Sequence, residues 1–310
     1  MAEVASVENP NLAAWRGRRL PLVDSEPGAA DLDAGVAAER LPGLADPAER
    51  ARFVRELEHS TRRIDALARL ADDPGSVDMR EPAEGWNPLP AIVQWTRTGD
   101  RDEATWLAYL TTAFGPDERR GHETWYGTRV LYGGFGEGRV AWRDVADDPA
   151  SLLELCRRHA SEYARLPRGN HRKNEPRFNP DHPRGLCASV HDLVALADAH
   201  GGLAALMSGD DVSADARFER LMSQIRARVI SFGRTGCFDL LILLGGLGLY
   251  ELAPPRLYLA GSTGPLDGAR RLLPGSRPIR DLDDTLSAVA HRIDVPLQAM
   301  EDALCNWQKH

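Results

Sequence analysis

Two aspartates stand beside glycine turns in the final third of the chain. Asp239 follows Gly233-Arg234-Thr235-Gly236, and Asp267 lies in Gly264-Pro-Leu-Asp-Gly268. A carboxylate so placed can stabilise developing positive charge or activate a water. His171, in the basic run Asn170-His171-Arg172-Lys173, titrates near neutrality and is a third acid–base candidate. Each has a plainer reading. Asp267 suits a helix N-cap. Asp239 sits among Phe238, Leu240, Leu241 and Ile242, where a carboxylate is costly unless paired, and Arg234 is the obvious partner. His171 can belong to a solvated loop.

The glycines matter as much as the acids. A G-x-x-G hairpin (Gly233, Arg234, Thr235, Gly236) between an Arg-studded helix over 216–232 and an apolar helix from Cys237 leaves free backbone N–H groups at a helix start. That arrangement suits a phosphate, and glycine allows close approach and positive φ. An ordinary helix–helix turn is the competing reading.

The net charge of −8 argues mildly against a nucleic-acid partner. The distribution does not. Arginines 217, 220, 226, 228 and 234 face only Glu219 over 216–234, and further basic runs occupy 165–184 and 268–280. Asn170, Arg172, Lys173, Arg270 and Lys309 are the remaining candidate contacts to a nucleic-acid backbone. Solvated helix faces are the alternative for any one cluster.

At 310 residues the chain can bury one large core or two smaller ones. Cys156, Cys187, Cys237 and Cys305 are too scattered for a metal or cluster motif and suggest no disulfide framework, so no metal, no cofactor and a reducing cytoplasm are expected. The N-terminus lacks a signal-peptide pattern, and the longest apolar run, 240–249, is too short to span a bilayer, so a soluble protein with no membrane partner is expected.

Residues 1–48, rich in Ala, Pro, Gly and acids, read as a flexible or loosely docked arm, and 49–310 as the helical domain. Helical periodicity runs through Phe53, Leu57, Ile64, Leu67 and Leu70, through Ile92, Val93 and Trp95, and through Ala104, Trp106, Leu107, Leu110 and Phe114, with Asp102 and Glu103 suited to a helix start. Leu297, Met300, Leu304 and Trp307 mark a last helix. Strand-like alternation is nearly absent, so the class is mainly α.

Several motifs carry a resemblance: Ser231-Phe-Gly-Arg-Thr-Gly-Cys-Phe-Asp239, Tyr258-Leu-Ala-Gly-Ser-Thr-Gly-Pro-Leu-Asp-Gly-Ala-Arg270, Glu301-Asp-Ala-Leu-Cys-Asn-Trp-Gln-Lys309, Gly169-Asn-His-Arg-Lys173, Asn87-Pro-Leu and Glu103-Ala-Thr-Trp-Leu107. Together they make the chain from about Phe53 to His310 resemble the α-glutamyl/putrescinyl-thymine pyrophosphorylases, clade 3.

The resemblance implies a helix-hairpin-helix DNA glycosylase-like helical fold acting on hypermodified pyrimidines in DNA, and a setting of defence against phages that carry them. It implies excision of the base, with two alternatives: displacement of pyrophosphate from an activated hydroxymethyl pyrimidine by an amine, or DNA binding without catalysis. Breaking an N-glycosidic bond builds positive charge on the sugar, which a nearby carboxylate stabilises. The resemblance implies an Asp about twenty residues after the hairpin; the corresponding stretch, 257–264, has none, which leaves Asp239 and Asp267. Trp125, Tyr126, Trp307 and Gln308 are the candidates to wall a flipped base, with core packing the alternative for the aromatics.

Overall fold

The computed structural model describes residues 29–167 and 179–309, and not the side chains of Ala29, Ala30, Glu118 and His122. Among the described residues there are fifteen α-helices and no strand. The mainly α class therefore holds. The chain divides into two compact units. Among the described residues, one joins 29–67 to 254–309, and the other lies within the central stretch 68–253.

In the terminal unit, α1 (Ala29–Ala38) and a 3-10 turn (Pro42–Leu44) lead into α2 (Pro47–Asp72), which continues past the unit boundary. After residue 254 come α13 (Gly264–Leu272), α14 (Ile279–Arg292) and α15 (Leu297–Trp307). Residues 36–44 contribute to the core of this unit. Val36, Leu41 and Leu44 join Phe53, Leu57, Leu272, Leu286 and Trp307 in one apolar core. Composition hid this because three apolar anchors suffice to dock a short Ala-rich helix and show no long period. Residues 1–28 lie outside the described residues.

Helices α13 and α15 cross closely. A Cβ on Gly268 would stand 2.3 Å from the Leu304 carbonyl oxygen, so only glycine admits this approach. The stretch before α13, in which Tyr258 takes a positive φ of 53°, is held by Asp283 of α14, whose carboxylate accepts the N–H groups of Leu257 (2.9 Å) and Leu259 (2.8 Å). Both leucines are fully buried, so the carboxylate satisfies two N–H groups that water cannot reach.

The central unit contains α3 (Pro88–Arg97), α4 (Arg101–Phe114), α5 (Tyr126–Tyr132), α6 (Trp142–Asp147), α7 (Pro149–Arg158), α8 (Ala160–Tyr163), α9 (Leu186–Asp198), α10 (Leu203–Ser208), α11 (Ala214–Arg228) and α12 (Arg234–Gly246). Asp100 starts α4 by accepting the Glu103 N–H at 3.0 Å. Every residue of α4 from Glu103 to Phe114 is buried, so this helix is the axis of the unit. Its threonines survive burial by satisfying themselves: Thr105 Oγ1 donates to the Arg101 carbonyl and Thr111 Oγ1 to that of Leu107, each at 2.7 Å. Among the described residues no helix is long and apolar enough to cross a membrane.

Candidate functional site

The turn between α11 and α12 is at the surface, and its geometry differs from the glycine hairpin read from the sequence. Ser213 caps α11, its Oγ accepting the Ala216 N–H at 3.1 Å. The helix ends at Val229 in an extended conformation. Val229 and Phe232 then point inward, 3% and 1% exposed, while Ile230 and Ser231 are half-buried. The positive φ belongs to Ser231 (60°), not to a glycine. Its hydroxyl donates to the Arg184 carbonyl at 2.9 Å, which ties the strained residue down.

Gly233 is the extended N-cap of α12. It is exposed, and nothing lies within 4 Å of where a Cβ would stand. Arg234, Thr235 and Gly236 are therefore the first turn of the helix rather than part of the loop. Gly236 packs closely on Phe232, whose ring lies 3.3 Å from its Cβ position. The N-cap residue Gly233 makes no side-chain capping bond, and the start of the helix carries the partial positive charge of its dipole.

The arginines separate into three groups. Arg217 and Arg220 engage Asp211, with Arg220 Nη2 at 2.8 Å, and the Arg220 hydrogen bond holds the Asp211 carboxyl below its usual range. Arg234 is 5% exposed and lies 4.5 Å over the Phe238 ring, so its position serves packing at the start of α12. Arg226 and Arg228, in the last turn of α11, are exposed. Exposed Arg184 is joined to the turn through its backbone carbonyl, which accepts from Ser231.

Asp239 is half-buried in the second turn of α12, between buried Phe238 and Leu240. Asp267 is exposed in the first turn of α13, where Thr263 holds the N-cap position. Asp267 is thus not the cap. Asp239 belongs to the central unit and Asp267 to the terminal one. His171, Asn170, Arg172 and Lys173 lie outside the described residues.

The four base-wall candidates are placed variously. Trp125 is 3% exposed. Half-buried Tyr126 carries the guanidinium groups of Arg120 and Arg129 at 4.4 and 5.1 Å from its ring. Trp307 is a core residue, 1% exposed, with Phe53 edge-on at 5.4 Å and Arg271 at 4.4 Å. Half-buried Gln308 donates to the Cys305 carbonyl at 3.2 Å, and exposed Lys309 to Asn306 Oδ1 at 2.8 Å. Arg270 is exposed on α13. Among the described residues no group of three or more His, Cys, Asp or Glu side chains stands together to hold a metal ion.

One buried acid carried no chemical signal in the sequence beyond its place at a helix start. Glu103 is 3% exposed. Tyr132 Oη donates to its Oε1 at 2.6 Å, and the Trp142 N–H, at the start of α6, donates to its Oε2 at 2.7 Å. Arg139 Nε stands 3.8 Å away, with its guanidinium 4.6 Å over the Trp95 ring. Burial pushes the Glu103 carboxyl above its usual range, opposed by these hydrogen bonds. Both oxygens are occupied, so Glu103 joins α4, α5 and α6 rather than facing a substrate.

The described residues form a mainly helical fold with an exposed, arginine-bearing turn before α12. Over residues 48–310 the chain matches the family described as alpha-glutamyl/putrescinyl thymine pyrophosphorylase clade 3, and it belongs to that family. No curated protein and no solved structure gives a significant match.

Proposed function

We propose that the protein is an enzyme of modified DNA. It grips the duplex backbone at the start of α12, flips out a hypermodified pyrimidine and hydrolyses its N-glycosidic bond. The reading is supported by one arrangement: the exposed N-cap Gly233 of α12 follows a turn whose preceding helix ends in exposed Arg226 and Arg228, with exposed Arg184 joined to that turn through its backbone carbonyl. In the reaction the bond between the sugar C1′ and the base nitrogen breaks. Water adds to C1′, and the base leaves with a proton. Asp239 or Asp267 supplies the carboxylate that stabilises the oxocarbenium-like sugar or takes the proton from water. No metal or cofactor is needed for these steps. The role is defence against phages whose DNA carries such bases.

A second reading is favoured by the family description, which names a pyrophosphorylase. There an amine forms a C–N bond at the activated methylene carbon of the pyrimidine while the C–O bond to pyrophosphate breaks. Incubation with DNA carrying hydroxymethylated, pyrophosphorylated or glycosylated pyrimidines separates the two. Free base with alkali-labile sites marks the glycosylase. A heavier nucleoside formed only with amine marks the transferase. Retarded DNA with neither product marks a binding protein and removes the enzymatic reading.

A further inference from the structure

The turn that presents α12 is held from α9. Asp192 of α9 accepts the Ile230 N–H on Oδ2 at 3.0 Å, while its Oδ1 lies 3.9 Å from His191 Nδ1. One residue on, the Ser231 hydroxyl donates to the carbonyl of Arg184, just before α9. Adjacent turn residues are thus pinned to two points of the same segment. One of them, Ser231, sits at positive φ, which serine adopts only when its surroundings fix it. Ile230 and Ser231 immediately precede buried Phe232 and exposed Gly233, so their conformation sets the direction in which α12 starts.

Asp192 is an odd residue to find there. Its side chain is 35% exposed, and it puts a negative charge beside a surface proposed to receive an anion. By charge alone it opposes binding. Its hydrogen bond to the turn gives it a reason to remain.

We propose that Asp192 is a positioning residue: through the Ile230 N–H it presets the turn for a nucleic-acid backbone, and this geometric gain outweighs its electrostatic cost. The inference rests on the proposed grip of DNA at α12. It predicts opposite signs for two substitutions. Asp192→Asn keeps an acceptor for Ile230 and removes the charge. Asp192→Ala removes both and leaves the turn N–H without its partner.

The test is binding of the full chain to a short fluorescent duplex bearing 5-hydroxymethyluracil, together with amide hydrogen exchange over 229–233 and the thermal midpoint. Asp192→Ala should bind about tenfold more weakly, the loss that one unsatisfied donor produces, with faster exchange confined to the turn. Asp192→Asn should bind as well as the natural protein or more tightly, with its exchange unchanged. Ser231→Ala, which removes the second tether without altering charge, should weaken binding several-fold and supplies the test if Asp192→Ala does not fold.

Tighter or unchanged binding by Asp192→Ala would overturn the proposal, because loss of a repelling charge alone gives that result. So would equal weakening by Asp192→Asn, or unchanged exchange at the turn in the alanine variant. A natural protein that fails to bind the duplex overturns the DNA reading itself, whereas natural binding with insensitive variants overturns only the role of Asp192.

Discussion

Tyr132 donates its hydroxyl to Glu103 across 2.6 Å in the interior of the central unit, joining the end of α5 to the first turn of α4. The same carboxylate caps α6 through the Trp142 N–H. Glu103→Ala leaves that N–H and the Tyr132 hydroxyl without their acceptor and should cost about 2–4 kcal/mol by denaturant unfolding. Glu103→Gln should cost less, since the amide can accept from Trp142 and donate to the phenol oxygen.

The pH dependence has a definite sign. Burial raises the folded-state pKa of Glu103 above its value in the unfolded chain. The native state then binds the proton more tightly than the unfolded one. This contribution to stability is fully present below the unfolded pKa and is lost as pH rises through the folded value. Stability of the natural protein measured relative to Glu103→Gln should therefore fall with rising pH across that window. A difference that stays flat or rises would contradict the assignment.

Gly268→Ala should cost about 1–3 kcal/mol, because the new methyl group meets Leu304 backbone at the crossing of α13 and α15. Gly275→Ala is the comparison for conformation alone: its φ is 111° and open space surrounds it. Thermal unfolding of both variants checks whether contact, and not only helix or turn propensity, sets the loss at Gly268.

Asp283→Ala orphans the N–H groups of Leu257 and Leu259 in a buried position and should destabilise by about 2–5 kcal/mol. Its exchange signature is local. Amides of 257–259 should lose protection ahead of those in α14.

Much of this was legible beforehand, and the limits are physical. The helices of 49–310 announced themselves by apolar spacing, and the family motifs by their glycines. The hairpin was misjudged by a few residues because a G-x-x-G pattern does not say which glycine bends the chain. Here Ser231 takes the positive φ, and Gly236 makes room for Phe232. Glu103 read as an acid at a helix start because its partners, Tyr132 and Trp142, are 29 and 39 residues away. The role of Asp192 was invisible for the same reason, its partner Ile230 being 38 residues distant. Arginine clustering could not tell exposed Arg226 and Arg228 from buried Arg234.

Those exposed arginines carry a prediction of their own. Arg226→Gln and Arg228→Gln should each weaken DNA binding uniformly across sequences and lower the slope of log K against log salt by about one. Arg217→Gln, on a side chain held by Asp211, should leave the slope unchanged.

The most direct measurement of the central claim is base release. The protein is incubated with duplex DNA containing a hypermodified pyrimidine, and both the liberated base and the abasic strand are quantified, for the natural chain and for Asp239→Asn and Asp267→Asn. The expected result is stoichiometric free base and abasic site, with one of the two variants slowed by about 10²–10⁴-fold. Intact DNA after prolonged incubation, or full activity in both variants, would contradict it.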